Sequence, residues 1–100
     1  MPRLGEIAEK VRSKNAGPFW VTIDIFCGSA EAYRQVTEKL SDAQVAGVLQ
    51  TERQLLKRFD IPDLNVVKFS LPRPQIQGHI HDRDMHGAAL GALMAEIELR

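Results

Sequence analysis

A cluster of polar and basic residues between two apolar patterns is the first place in this sequence where chemistry could occur. Residues 12–19 read Arg-Ser-Lys-Asn-Ala-Gly-Pro-Phe. Consecutive backbone N–H groups in such a turn can form an anion-binding nest, to which the two cations would add charge for a carboxylate or phosphate. The same residues also fit the end of a helix, because cations favour its C-terminus and Gly and Pro stop it. Both interpretations stay open, and the candidate substrate-binding residues are Arg12, Ser13, Lys14, Asn15 and Gly17.

Two further charged residues could take part in such a site. Asp24 lies inside an apolar segment, where burial would raise the pKa of its carboxyl towards general acid or base catalysis. Asp24 is therefore the candidate catalytic residue, with a structural salt bridge to Arg12 or Lys14 as the alternative. Either role requires Asp24 to lie near the 12–17 segment. Arg73 stands between two prolines, which suits capture of a substrate carboxylate or, alternatively, protection of a sheet edge.

The segment 79–86 contains all three histidines of the chain. In an extended chain His79 and His81 point the same way, and Asp84 or His86 could complete the shell of a divalent metal. A solvent-exposed loop whose aspartates cap the following helix is the commoner arrangement. We therefore assign no metal site, and His79, His81 and His86 remain candidates only.

Composition bounds the remaining possibilities. The 100 residues predict a single domain over 1–100, and 13 Lys and Arg balance 13 Asp and Glu. A net charge of zero argues against a nucleic-acid-binding protein and does little to oppose self-association. No apolar run suits a membrane span and no signal-peptide pattern is present, so a cytoplasmic protein is expected. The single cysteine, Cys27, allows no internal disulfide, and it fits a small buried hydrophobe better than a nucleophile.

Periodicity predicts the elements that must position these residues. Leu4, Ile7, Ala8 and Val11 share one helical face, whereas the residues from Trp20 alternate as a central strand. The predicted order continues with helices over about 30–50, an edge strand over 55–61, a strand over 66–71, a helix over about 87–95 and a short closing strand over 96–99. This order predicts an α+β protein with a ferredoxin-like split βαβ sandwich, an antiparallel sheet with helices on one face, plus an N-terminal helix.

Several of these motifs together resemble a known family. They are residues 12–19, Thr22-Ile23-Asp24-Ile25, Pro72-Arg73-Pro74, Gln77-Gly78 and Asp84-x-x-Gly87. The sequence resembles a small bacterial family of unknown function, which is similar to the ferredoxin-fold C-terminal domain of acyclic terpene utilisation (AtuA-like) proteins. The resemblance extends over nearly the whole chain.

The resemblance implies a partner rather than an autonomous enzyme. Members of the family accompany a larger AtuA-like protein associated with catabolism of branched unsaturated acids or their CoA thioesters. The chain would then be the small subunit of a hydratase or lyase, bound in a hetero-oligomer, and its cofactor is unknown. Two alternatives remain: a non-enzymatic ligand-binding or regulatory module that self-associates through its sheet, and a metalloenzyme centred on the three histidines.

Overall fold

The computed structural model describes residues 2–17, 19–72 and 89–99. Within them the chain forms four α-helices, four β-strands and two short 3-10 helices. In chain order these are α1 (Leu4–Ile7), β1 (Lys10–Asn15), β2 (Trp20–Phe26), α2 (Ala30–Lys39), α3 (Asp42–Leu49), a 3-10 turn (Arg53–Leu55), β3 (Lys57–Ile61), a second 3-10 turn (Pro62–Leu64), β4 (Val66–Pro72) and α4 (Ala89–Ala95).

The four strands form one antiparallel sheet in the order β1-β2-β4-β3. Alternate residues of the two central strands, such as Ile23, Ile25 and Phe69, are completely buried. They join one hydrophobic cluster with helix residues that include Val36 and Met94, so the helices cover this side of the sheet. The predicted α+β class with a ferredoxin-like arrangement is confirmed. None of the helices in the described part of the chain is long and apolar enough to cross a lipid bilayer.

The predicted N-terminal helix is much shorter than its apolar spacing suggested. Helix α1 ends at Ile7, and Ala8 is extended with ψ of 146°. Residues that were expected to finish the helix, Lys10–Asn15, instead form strand β1. Leu4 and Ala8 are still buried and Val11 still packs on the core, so both geometries turn the same side chains inward. Pairing with β2 decides between them, because it satisfies a whole row of backbone groups.

The predicted closing strand over 96–99 is also wrong. Glu98 makes only an isolated bridge with Arg3. Beside it, the Leu4 N–H donates to the Ile97 carbonyl at 2.7 Å, and the Leu99 N–H donates to the Pro2 carbonyl at 2.8 Å. Strand β1 occupies the sheet edge next to β2 where a closing strand would pair, so the ferredoxin-like sheet is completed from the N-terminal side.

The middle of the chain follows the sequence-based expectations closely. Ser29 and Ser41 are helix N-caps, and each hydroxyl oxygen accepts a backbone N–H at 3.1 Å, from Ala32 and Gln44 respectively. Residues 41–44, Ser-Asp-Ala-Gln, have the sequence of a capping box, but only its serine half forms, because the Gln44 side chain donates to the Glu98 carbonyl at 2.7 Å. The strands predicted over 55–61 and 66–71 correspond to β3, at the sheet edge, and to β4.

Candidate functional site

One side of the sheet faces away from the helices, and we call it the open face. Strand alternation places on it the side chains that precede and follow the buried ones. Among the described residues none of its side chains belongs to the hydrophobic core cluster. The open face consists of Lys10, Arg12 and Lys14 of β1, Trp20, Thr22, Asp24 and Phe26 of β2, Val66, Lys68, Ser70 and Pro72 of β4, and Lys57, Phe59 and Ile61 of β3.

The open face is strongly basic although the chain as a whole is neutral. It carries five cations, at least one from each strand except β2, and a single carboxylate, Asp24. Thirteen acidic residues balance thirteen basic ones in the chain, so the remaining surface carries an excess of carboxylates. Such a separation of charge creates a local positive potential that attracts anions.

Aromatic side chains are exposed on the same face. Trp20 is 38% exposed, Phe26 37% and Phe59 49%, and Phe19 in the neighbouring hairpin loop is 57% exposed. The Lys57 ammonium lies 5.5 Å from the centroid of the Trp20 ring, a cation–π distance. Large apolar side chains beside cations, on a sheet face that no described helix covers, are typical of a binding surface.

Asp24 lies at the centre of the open face, between two cations. It is half-buried, and its register partners are Arg12 on β1 and Lys68 on β4. Directly opposed side chains have Cβ atoms about 4.5–5.5 Å apart, so both cations can reach it. Among the described residues Asp24 makes no ion pair within 4 Å. The expectation that Asp24 lies beside the 12–17 segment is confirmed.

The other candidate binding residues do not all converge on Asp24. Lys14 shares the open face with Arg12, but Ser13 and Asn15 alternate to the helix side. The Ser13 hydroxyl accepts the Gly91 N–H of α4 at 2.7 Å. Strand alternation therefore separates the polar segment into two sets: Arg12 and Lys14 lie on the open face, and Ser13 and Asn15 lie on the helix side, where Ser13 binds α4.

Strands β1 and β2 form a hairpin where the sequence allowed either a helix end or an anion nest. Gly17 has a positive φ of 82°, which glycine adopts without strain. The Ala16 N–H donates to the Trp20 carbonyl at 2.9 Å, so it closes the hairpin rather than remaining free for an anion nest. The segment is not a helix end, because the chain reverses there between two paired strands, and the anion nest stays a prediction without the Ala16 amide.

Arg73, His79, His81 and His86 lie outside the described residues. Their proposed roles, carboxylate binding and metal coordination, therefore stay predictions. Within 2–17, 19–72 and 89–99, no group of three His, Cys, Asp or Glu side chains is arranged to hold a metal ion.

Cys27 is buried at the end of β2, and we expect it to be unreactive. Burial raises the pKa of its thiol to about 11, so at pH 8 only about one molecule in a thousand carries the nucleophilic thiolate. Labelling of the native protein with a chromogenic disulfide reagent at pH 8 should be at least about tenfold slower than labelling in urea. Equal rates in both conditions would restore Cys27 as a candidate nucleophile.

Sequence reasoning missed the residues that complete the open face. They were not assigned to a site, because the pattern of a single strand does not show which face of the sheet the helices cover. These residues are Lys57, Lys68, Thr22 and the exposed aromatics. The signal that was available is the alternation in β3, where Phe59 and Ile61 share a side with Lys57. An apolar pair exposed beside a cation would have marked a binding surface once the helices were placed on the other side.

Fold and open face together define a class: a ferredoxin-like α+β domain with a basic, aromatic sheet face over which none of the helices in 2–17, 19–72 and 89–99 packs. Residues 4–98 match the family described as Domain of unknown function (DUF4387), and the chain belongs to this family. No curated protein and no solved structure matches the chain.

Proposed function

We propose that this protein is the small subunit of an AtuA-like enzyme, a hydratase or lyase that acts on branched unsaturated carboxylic acids or their CoA thioesters. The observation that carries the proposal is the row Arg12–Asp24–Lys68 on the open face. Two cations in this row suit the carboxylate or thioester of a substrate, and the carboxylate between them suits proton transfer. The motif resemblance supplies the identity of the larger chain.

In this proposal the open face lies at the interface with the larger subunit. Hydration of a conjugated acid adds water across a C=C bond, so one group must move a proton to or from carbon. Asp24 takes that role, and Arg12 and Lys68 stabilise the negative charge that develops on the substrate carbonyl. Arg73 adds a further cation to the same substrate carboxylate.

Capture of the partner and activity of the complex together test the proposal. The tagged chain, recovered from its own source and measured by native mass spectrometry, should carry a stoichiometric larger chain of AtuA-like sequence. The complex should hydrate or dehydrate a branched unsaturated acid or its CoA thioester. Asp24→Asn should lower kcat by roughly 10²–10⁴-fold, and Arg12→Ala and Arg73→Ala should raise KM without unfolding the small chain.

A matched control is available on the helical side of the molecule. Lys39 is an exposed cation in the last turn of α2, and Lys39→Ala should change neither assembly nor activity. Recovery of the chain without a larger partner, or full activity of the Asp24→Asn and Arg12→Ala complexes, would contradict the proposal.

A non-enzymatic module that self-associates through its sheet is the second candidate. The exposed rings of Trp20, Phe26 and Phe59 favour it, because self-association would remove them from water. The five cations of the open face oppose it, since two copies of this face would bring like charges together. Concentration-dependent dimerisation that strengthens with salt, with no larger partner, would favour this second function.

A further inference from the structure

A second row of the open face has the composition of an anion-binding site. Lys14, Thr22, Ser70 and Lys57 lie opposite one another on β1, β2, β4 and β3. Because opposed residues of antiparallel strands point to the same side, two ammonium groups flank two hydroxyls. Asp24 belongs to the neighbouring row, so this row contains no carboxylate.

The spacing of the two lysines suits a ligand with more than one anionic group. Neighbouring strands lie about 4.7–4.9 Å apart, so β1 and β3 are separated by about 14 Å across the sheet. Extended lysine side chains each reach about 6 Å, so both ammonium groups can converge above Thr22 and Ser70. A phosphate or diphosphate between them would be bound from both sides.

Thr22 provides an independent indication of a ligand. It is only 7% exposed, and its hydroxyl oxygen is buried without a hydrogen-bond partner. Buried hydroxyls are nearly always hydrogen-bonded, so an unsatisfied one between two lysines requires an explanation. Rotation about χ1 exchanges the positions of the hydroxyl and the methyl group, which would bring the hydroxyl to an oxygen of a bound anion.

Trp20 adds an aromatic surface next to this row. It lies two residues before Thr22 on the same face, and its ring is 38% exposed. Lys57 lies 5.5 Å from the ring centroid, so the ring extends across β4 towards β3. Stacking of a base on an exposed indole and pairing of its phosphates with nearby lysines is a common way to bind nucleotides.

We propose that Lys14, Thr22, Ser70 and Lys57, together with Trp20, form a binding site for a phosphorylated ligand with a planar ring, of which an adenine nucleotide is the simplest. The ring stacks on Trp20, and the phosphates lie between the two lysines and accept hydrogen bonds from the hydroxyls. A free nucleotide and the adenosine phosphate end of coenzyme A present the same chemistry. The site does not depend on the proposed subunit function.

The single tryptophan of the chain makes the test direct. ADP added to the full-length chain should quench Trp20 fluorescence saturably, and calorimetry should give the same Kd. Adenosine and inorganic phosphate should each bind at least about tenfold more weakly than ADP, because each engages only half of the site. Raising NaCl from 50 to 500 mM should weaken ADP binding severalfold.

Substitutions in the row of Lys14, Thr22, Ser70 and Lys57 test whether ADP binds there. Lys14→Gln and Lys57→Gln should each weaken ADP binding by about tenfold, and the isosteric Thr22→Val by about fivefold. Lys39→Gln, on the helical side, is the matched control and should leave the Kd unchanged. Circular dichroism spectra that match the wild-type spectrum would show that the variants are folded.

Several results would overturn the proposal. They are linear quenching without saturation, equal affinity for adenosine and ADP, and unchanged affinity in Lys14→Gln and Lys57→Gln. Tighter binding of single-stranded oligoadenylate than of ADP would also overturn it, in favour of a nucleic-acid surface. Coenzyme A distinguishes the two possible ligands. If it binds more tightly than ADP, the site is assigned to the coenzyme; if it binds more weakly, the site is assigned to free nucleotides. Nucleotide binding by a chain that captures no larger partner would support this site while removing the proposed subunit function.

Discussion

Replacing Arg58 with Met should lower the free energy of unfolding by about 2–4 kcal/mol, one of the two largest effects on stability expected in this protein. The Arg58 side chain is only 16% exposed. Its guanidinium donates to the Leu40 carbonyl at 2.7 Å, the Asp42 carboxylate at 3.0 Å, the Thr37 carbonyl at 3.3 Å and the Asp60 carboxylate at 2.8 Å. These hydrogen bonds and ion pairs raise the pKa of Arg58 despite its burial. Urea denaturation monitored by circular dichroism measures the loss.

Met is chosen so that the variant loses the hydrogen bonds and ion pairs of Arg58 but keeps its apolar packing. The Arg58 guanidinium lies 5.6 Å from the centroid of the buried Phe69 ring, and Met keeps apolar contact there. The decrease in the free energy of unfolding should then come from the carbonyl groups at the end of α2, which lose their hydrogen-bond donor. Arg34→Met, at an exposed position of the same helix, should change stability by less than about 0.5 kcal/mol. Equal stability of the two variants would show that Arg58 does not connect β3 to α2 and α3.

Replacing Gly91 with Val should destabilise the protein by about 1–3 kcal/mol, because α4 approaches β1 too closely for a side chain. A Cβ atom at Gly91 would lie 3.0 Å from the Ser13 backbone nitrogen and 3.1 Å from its hydroxyl oxygen. The same contact contains the hydrogen bond from the Gly91 N–H to the Ser13 hydroxyl, at 2.7 Å. A branched residue must push the helix away and lengthen that bond. Thermal unfolding measured by calorimetry provides the comparison.

Gly47 is the matched control for this effect. It lies within α3, and an added Cβ would meet nothing within 4 Å. Gly47→Ala should therefore raise stability by roughly 0.5–1 kcal/mol, since alanine favours the helical backbone. Opposite signs at the two glycines would establish that close packing, not helix propensity, determines the residue at 91. A Gly91→Val protein as stable as the wild type would contradict the packing of α4 on β1.

Short-range sequence patterns, such as N-cap serines and apolar alternation, predicted the structure correctly in the middle of the chain. Ser29 and Ser41 each precede an apolar helical pattern, and both are N-caps in the structure. The alternation from Trp20 to Cys27 correctly indicated a central strand and made Asp24 conspicuous. A helix or a strand that is apolar on both faces is recognisable from the spacing of its apolar residues, because that periodicity is visible within a short segment of sequence.

The error at the N-terminus has a physical cause. Leu4, Ala8 and Val11 fit one helical face, and the structure buries or packs all three. It does so with one short helix followed by a strand, because the edge of β2 offers hydrogen bonds to residues 10–15. A partner distant in sequence therefore decided the local conformation, which propensity within the segment could not reveal.

By itself the sequence determined the α+β class and the helices and strands between Trp20 and Pro72, and it made Arg12, Lys14 and Asp24 the candidate site residues. Only the tertiary structure decided that Arg12 and Lys14 share a face with Asp24 while Ser13 turns to α4. It also decided that a neutral chain carries five of its cations on one face of the sheet. The physical reason is register: which side chains stand together depends on how four distant strands pair, and pairing is a property of the whole sheet.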